Sequence, residues 1–162
     1  MENIENSNNS IKEEDRLIAA RKNNLKQLVG LGIDPYPKSF KRTHSSNEAI
    51  NSLIEIEETS GPDSSIEGVN IAGRVIGIRG QGKMIFMDIK DRNGVIQAAM
   101  KKDILETQFD LAKLIDLGDI VGLRGKLFRT RRGEPSIEVA ELVILTKAMR
   151  PMPDKWSGLK DV

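Results

Sequence analysis

The hydrophobic pattern of the chain changes near residue 68, and this change restricts the possible folds more than any other feature. Before it, apolar residues recur at intervals of three, four or seven, which is typical of amphipathic helices. After it, short β-rich runs alternate with glycine-containing turns, with one helical interruption. The runs predict strands near 68–79, 83–90, 95–101, 119–130 and 136–145, with a helix near 104–115 between the third and fourth strands.

Five strands in the order β-β-β-α-β-β are the layout of an OB-fold barrel, although a general α+β sheet also fits the pattern. Within the first predicted strand the apolar alternation slips by one residue, from Val69, Ile71 and Val75 to Ile76 and Ile78. Such a slip beside a glycine is typical of a bulged strand that serves two sides of a small barrel. The predicted fold class is therefore mainly β with N-terminal helices: a five-stranded OB-fold barrel preceded by an amphipathic helix.

Two capping signals predict the helices that precede the barrel. Ser10 and Glu13 have the spacing at which each side chain satisfies a free backbone N–H of the other, and a helix over about 11–29 should follow. Ser45 and Glu48 repeat this spacing before a shorter second helix. Glycine and proline residues between these segments should separate the two helices, because neither residue continues a helix well.

The sequence divides into four parts. Its first residues are mostly Asn, Ser and Glu, which are too polar to pack into a core. The predicted parts are a disordered tail over 1–9, an N-terminal helical extension and linker over 10–66, the OB-fold domain over 67–147, and a C-terminal linker over 148–162.

The composition excludes several kinds of chemistry. The 162 residues include no cysteine and a single histidine, His44, which excludes disulfides, thiolate nucleophiles, Cys-ligated zinc and multi-histidine metal sites. No apolar run approaches the length of a membrane span, and the polar start does not have the pattern of a signal peptide. We therefore expect a cytoplasmic protein that binds neither metal nor membrane.

One predicted hairpin has an outer face that suits a ligand. In its two strands the uniformly apolar sets should point into the barrel, namely Ile85, Met87, Ile89, Ile96, Ala98 and Met100. This facing leaves Phe86 and Gln97 together on the outside. An aromatic ring that stacks on a base beside an amide that reads its edge is a common way to hold single-stranded nucleic acid. The alternatives are a ring covered by the N-terminal helix and an ordinary polar strand residue.

Basic residues give a second indication of nucleic-acid binding. Five of them fall within nine residues that include no acid: Arg124, Lys126, Arg129, Arg131 and Arg132. On the first predicted helix, Lys12, Arg16 and Lys26 share one side, opposite the apolar residues. Both sets suit contact with a phosphate backbone, which adds affinity without sequence preference. The alternative for both is a solvated charged surface, which on the helix also follows its dipole.

Three segments resemble the N-terminal anticodon-binding region of class II lysyl-tRNA synthetase, over roughly residues 12–162. They are IAGRVIGIRGQGKMIFMDIKDRNGVIQ, LGDIVGLRGKLFRTRRGEPSIEV and LTKAMRPMPDKWSGLKD. The first two share the spacing of AGR, GK, F, D, Q, GD, G and GE with the OB domains of the aspartate and asparagine enzymes. The third is more specific to the lysine enzyme.

The resemblance implies a site for the tRNA anticodon. It makes Phe86 the stacking ring, and Gln97, Arg79 and Glu134 the groups that contact bases. Lysine anticodons end in two uracils, and a uracil edge carries one N3–H donor between two carbonyl acceptors, which an amide, a guanidinium and a carboxylate can match. The residues that we expect to contact the tRNA backbone are Lys12, Arg16, Lys26, Arg129 and Arg131.

Glu134 has an alternative and a departure from the family pattern. Its carboxylate could instead form a loop ion pair with Arg131 or Arg132. It is followed by Pro135, where the family usually has leucine or a similar residue. The start of the last strand could therefore be shifted.

The resemblance also implies the activity of the parent enzyme. That activity is the ATP-dependent attachment of lysine to tRNA(Lys) in translation, with Mg²⁺, by a homodimer. The class II signature motifs would lie beyond Val162, so we expect no catalytic or cofactor-binding residue in this chain, and a fragment that alone is inactive and mainly monomeric. The alternative is a free-standing OB-fold module that binds single-stranded nucleic acid or another partner without ligase activity.

Overall fold

The computed structural model describes residues 2–37 and 39–151, with side chains from residue 12 onward except that of Gln81. The helices are α1 (Glu2–Gly30), α2 (Ser46–Ser60), α3 (Lys102–Leu105) and α4 (Gln108–Ala112). The strands are β1 (Ile66–Gln81), β2 (Met84–Lys90), β3 (Val95–Lys101), β4 (Ile120–Arg129) and β5 (Pro135–Thr146). Within the described part of the chain, no helix combines the length and the apolar character needed to cross a membrane.

The five strands form a closed barrel in the order β1-β2-β3-β5-β4. All neighbours are antiparallel except β3 and β5, which are parallel. The first part of β1 pairs with β4 and its second part pairs with β2, with a register shift between Val75 and Gly77. This bulge confirms the predicted slip, and the closed barrel confirms the predicted OB-fold.

The barrel interior consists of the side chains that the alternation assigns to it. Ile85, Met87 and Ile89 of β2 are buried, as are the inward residues of β3, Ile96, Ala98 and Met100. Burying a large apolar side chain stabilises the fold by roughly 1.5–3 kcal/mol. Because these six residues occupy every second position, the residues between them lie on the outer face of the barrel.

α1 is longer than the sequence predicts. It begins at Glu2, so the structure continues the helix through the segment expected to be a disordered tail over 1–9, and Ser10 lies inside the helix rather than at its N-cap. Residues 2–29 include neither glycine nor proline. Extending an existing helix also costs less free energy than starting a new one.

The single helix expected over 104–115 is divided into α3 and α4. The division falls at Glu106, whose φ of 49° lies in the left-handed region and ends the first helix. Phe109, Leu111 and Ala112 of α4 are buried and belong to the core. The helical segment therefore covers the barrel as predicted, although in two pieces.

α2 begins at the predicted capping box. The backbone N–H of Ser45 donates to Glu48 Oε2 at 2.7 Å, and the Ser45 hydroxyl accepts from the Glu48 backbone. Asp91, in the turn after β2, accepts from the backbone and hydroxyl of Ser46 at 2.7 and 2.6 Å. Burial raises the pKa of Asp91, but these hydrogen bonds outweigh burial and hold the pKa below its usual value. The start of α2 is thus attached to the barrel.

A buried cluster of charged residues connects α1 to the barrel where β4 begins and β5 ends. The Lys147 ammonium donates to Asp119 Oδ2 at 2.7 Å, to the Leu114 carbonyl at 2.8 Å and to Asp116. Arg21 of α1 donates to the carbonyls of Leu117, Ala148 and Arg150 at 2.8–2.9 Å. Among the residues with described side chains, every buried polar side-chain atom has a hydrogen-bond partner. The cluster therefore holds α1, the segment before β4 and the chain after β5 in one arrangement.

Candidate nucleic-acid interface

An open cleft of about 710 Å³ lies on the outside of the barrel, where β1 turns into β2 and β4 turns into β5. We call it the cleft and define it by its lining residues: Arg79, Gly80, Met84, Phe86, Gln97, Thr130, Arg131, Arg132 and Glu134. All four residues that the resemblance implies for base contact are among them. Its volume falls in the range of sites that hold a small ligand or one part of a larger one.

Strand register explains why these side chains meet. Arg79 of β1 pairs with Phe86 of β2, so their side chains are cross-strand neighbours on the outer face. Gln97 of β3 is paired with Asp88 on one side and with Ser136 on the other. The shared outer facing of Phe86 and Gln97 is therefore confirmed. No α1 residue with a described side chain lines the cleft, so the alternative in which that helix covers Phe86 is not observed.

Arg79 is held by a carboxylate and still has donors to offer. Its Nη1 and Nη2 atoms donate to Oδ2 and Oδ1 of Asp88 at 2.6 and 2.9 Å. The hydrogen bonds with Asp88 raise the pKa of Arg79 above its usual value, although burial acts against them. The Arg79 side chain is 53% exposed. Because a guanidinium has five N–H groups, three remain for an acceptor in the cleft.

Gln97 is also oriented by a hydrogen bond from a buried residue of the neighbouring strand. The buried Ser136 hydroxyl donates to Gln97 Oε1 at 3.1 Å. With this acceptor occupied once, the amide presents its NH₂ group and one oxygen lone pair to the cleft. Gln97 therefore can both donate to and accept from a ligand edge.

Glu134 stands at the end of the tight turn between β4 and β5. The turn is closed by hydrogen bonds from Thr130 N to Glu134 O at 2.9 Å and from Glu134 N to the Thr130 hydroxyl at 3.0 Å. Glu134 is exposed, and within the described chain its carboxylate forms no ion pair with Arg131 or Arg132. Pro135 pairs with Arg129 as the first residue of β5. The carboxylate is thus available to a donor, as a base contact requires.

The basic residues within 124–132 are less available to a phosphate backbone than their number suggests. Arg124 is paired with Glu141 and Lys126 with Glu138, so the members on β4 face acids on neighbouring elements. Arg131 and Arg132, which follow β4 in the turn, are exposed at the cleft. Only the turn members therefore present unpaired positive charge in the described part of the run.

Arg129, the last residue of β4, has partners on two other segments of the chain. Its Nε and Nη2 atoms donate to the two carboxylate oxygens of Glu57 on α2 at 2.8 and 2.7 Å, and Nη1 donates to the Gly133 carbonyl. The hydrogen bond from Arg129 lowers the pKa of Glu57. No sequence pattern indicates this partner, which lies 72 residues away along the chain. Arg129 therefore attaches α2 and the turn to β4, and its contact with the tRNA backbone stays a prediction.

The basic side of α1 has the predicted exposure. Lys12, Arg16 and Lys26 are all exposed, whereas Leu28 is buried in the core. None of the three lines the cleft, as far as its lining residues are described. The exposure agrees with both interpretations, contact with RNA and a solvated surface.

The closed five-stranded barrel, with its external cleft, is an OB-fold. Residues 69–145 match the tRNA anticodon family model, which is described as an OB-fold nucleic acid binding domain. That match covers all five strands except the ends of β1 and β5. The chain therefore contains an OB-fold domain that is similar to the nucleic acid binding domains of the tRNA anticodon family.

The chain is, in particular, a relative of the lysine–tRNA ligases. It is 41% identical to the ligase of Dehalococcoides mccartyi over 150 residues, 42% to that of Moorella thermoacetica over 153, and 41% to that of Bacillus subtilis over 146. The alignments cover 92%, 94% and 90% of this chain, and 30%, 30% and 29% of the relatives. The resemblance seen in the sequence is confirmed, and the chain spans about three tenths of the length of these relatives.

Proposed function

We propose that this chain binds the anticodon loop of tRNA(Lys) through the cleft, as the anticodon-binding part of a class II lysine–tRNA ligase. One observation carries the proposal. An aromatic ring, an amide, a guanidinium and a carboxylate come from four separate segments of the chain, and the fold brings all four into one open cleft.

The chemistry of the cleft suits a uracil. The Phe86 ring offers a stacking surface, which is worth about 1–3 kcal/mol per base and does not depend on which base stacks. Arg79 offers donors to a carbonyl, Glu134 accepts from an N3–H group, and Gln97 can do both. Cytosine has an acceptor at N3 and an amino group in place of one carbonyl. These reversals would set donor against donor and acceptor against acceptor.

The whole-enzyme activity belongs to the same proposal. We assign to the parent protein the attachment of lysine to tRNA(Lys), with ATP as a substrate and Mg²⁺ as a cofactor. We also assign to it a cytoplasmic location and a homodimeric assembly. No residue of 1–162 is assigned to ATP, Mg²⁺ or catalysis. The similarity to lysine–tRNA ligases supports this assignment.

Titration of anticodon stem-loops tests the proposal. The two loops carry UUU and UCU, and both are measured at one fixed salt concentration because phosphate contacts make affinity salt-dependent. We expect the wild-type chain to prefer the U-centred loop by about fivefold or more, since one net hydrogen bond is worth about 1 kcal/mol. Gln97→Ala should narrow this ratio and change the melting temperature little, because the Ser136 hydroxyl can donate to the Glu134 carbonyl oxygen instead, at 3.2 Å.

A matched control removes an amide elsewhere. Asn51 is exposed on α2, outside the cleft, so Asn51→Ala should change neither affinity nor the ratio. Equal binding of both loops and of an unrelated single strand by the wild-type chain would refute the proposal. That outcome would support a free-standing single-strand-binding module instead.

A further inference from the structure

Asp88 is an acidic residue in a surface proposed to bind RNA. A carboxylate there opposes the phosphate backbone and lowers affinity. Asp88 does not line the cleft, but its side chain is 28% exposed and its two oxygens accept the two hydrogen bonds from Arg79. Its position is therefore best explained by what it does to Arg79.

The neighbouring strand leaves space for this carboxylate. Gly77 of β1 is the cross-strand partner of Asp88. A Cβ atom at residue 77 would lie 2.5 Å from Asp88 Oδ2, closer than real Cβ contacts allow. The carboxylate thus lies over a position with no side chain, and any larger residue at 77 would have to displace it.

The pairing limits the directions in which Arg79 can point. Two parallel hydrogen bonds between a guanidinium and a carboxylate hold both groups in one plane, which a single bond does not do. An arginine without such a partner would retain many side-chain conformations and could follow a phosphate as readily as a base. With Asp88 in place, the three remaining N–H groups are presented in one orientation.

We propose that Asp88 is a positioning residue that fixes the Arg79 guanidinium toward the cleft, and so increases selectivity for a carbonyl-bearing base while it lowers overall affinity for RNA. The proposal rests on the proposed function of the cleft. It adds the source of selectivity. Asp88 contacts no base itself, but it determines which bases the Arg79 guanidinium can bind.

Asp88→Asn tests the proposal because selectivity and affinity should change in opposite directions. The substitution keeps the size of the side chain, removes one negative charge and leaves a single acceptor oxygen. We expect the preference for the U-centred over the C-centred loop to fall several-fold. Binding of the C-centred loop should stay equal or become tighter, because the variant repels the phosphate backbone less.

Glu141→Gln is the matched control. Glu141 accepts from Arg124 at 3.0 and 2.8 Å and lies outside the cleft, so this variant removes the same charge from an arginine pair of similar exposure. It should tighten binding of both loops alike and leave their ratio unchanged. Gly77→Ala supplies a second perturbation, because it displaces the Asp88 carboxylate without changing the charge. It should lower the preference for the U-centred loop without raising affinity for the C-centred loop.

A measurement without RNA separates this inference from the proposed function. The ¹⁵N heteronuclear NOE of Arg79 Nε should indicate an ordered side chain in the wild-type protein and a mobile one in Asp88→Asn and Gly77→Ala. An ordered Arg79 in both variants, or an unchanged loop ratio in Asp88→Asn, would overturn the positioning role. Equal losses for both loops together with a lower melting temperature would also overturn it, since they would show a role in folding alone. A wild-type chain without any loop preference would refute the proposed function, whatever the NOE shows.

Discussion

At one end of the β4–β5 pair the Lys147 ammonium is completely buried and donates to three acceptors. At the other end the Arg79 side chain is 53% exposed and donates to one carboxylate. An ammonium has three N–H groups and a guanidinium has five, so Lys147 is fully satisfied and Arg79 is not. The comparison shows how one barrel uses similar ion pairs for two purposes. Complete pairing holds elements together, whereas incomplete pairing at the surface leaves groups for a ligand.

The two regions are also far apart. β4 has ten residues, so its ends are separated by up to about 30 Å at 3.3 Å per residue. Effects of substitutions at such a distance are usually additive, which allows each region to be changed without disturbing the other. Substitutions in the Lys147 cluster should therefore change stability, and substitutions in the cleft should change RNA binding.

The largest effect should come from the buried cluster. Asp119→Ala leaves Lys147 buried with one carboxylate fewer and deprives the backbone N–H groups of Asp116 and Ala148 of their acceptor. We expect a loss of about 3–5 kcal/mol in the free energy of unfolding, measured by urea denaturation. The loop ratio should be unchanged at temperatures where the variant is folded. As a control, Asp110→Ala removes an exposed partner of Lys113 and should have little effect; similar losses in both variants would contradict the comparison.

A smaller effect, confined to binding, should come from Phe86. Phe86→Ala should weaken both stem-loops by about 1–3 kcal/mol per base stacked, because stacking does not distinguish bases. The half-buried ring lies on the outer face, so the melting temperature should change little. If Phe86→Ala unfolds the protein, the ring belongs to the core and the cleft is not a stacking site.

The smallest effect should come from α1, which lies outside the cleft. Reversal of Arg16 and Lys26 to Glu should lower affinity for full-length tRNA and make log K less steep against log salt, by about 0.7–0.9 for each phosphate that the helix no longer neutralises. Reversal of two exposed lysines outside α1 and the cleft, Lys90 of β2 and Lys102 of α3, is the control for net charge. Identical slopes in both double variants would mean that the basic side of α1 is only a solvated surface.

The parts of this structure that depend on local pattern could be predicted from the sequence. Strand positions and the outward facing of Phe86 and Gln97 follow from an alternation with a period of two. A strand of seven residues is long enough to show this alternation. Arg79 and Glu134 were indicated only by family resemblance, since neither stands out by pattern. The Arg79–Asp88 pair links adjacent strands of one hairpin, so the hairpin register would have revealed it.

Contacts between distant segments could not be predicted. Arg21 meets carbonyls more than 90 residues away, and no periodicity connects α1 with the end of β5. The pairing of Arg129 with Glu57 similarly depends on where α2 lies against the barrel. Side chains that appear free in a sequence can therefore have partners that only the packing of whole elements supplies.

The cross-strand row of Gly77, Asp88, Gln97 and Ser136 has a consequence for how this chain can change in length. Deleting or inserting one residue within β2 or β3 would rotate the rest of that strand by half a turn and exchange its outer and inner faces. Such a change would move Phe86 or Gln97 into the barrel and break the row. The loop over 61–65, which no member of the row depends on, could gain or lose residues without this penalty. A substitution at an exposed position leaves the row in place, whereas a change in strand length between residues 77 and 101 breaks it.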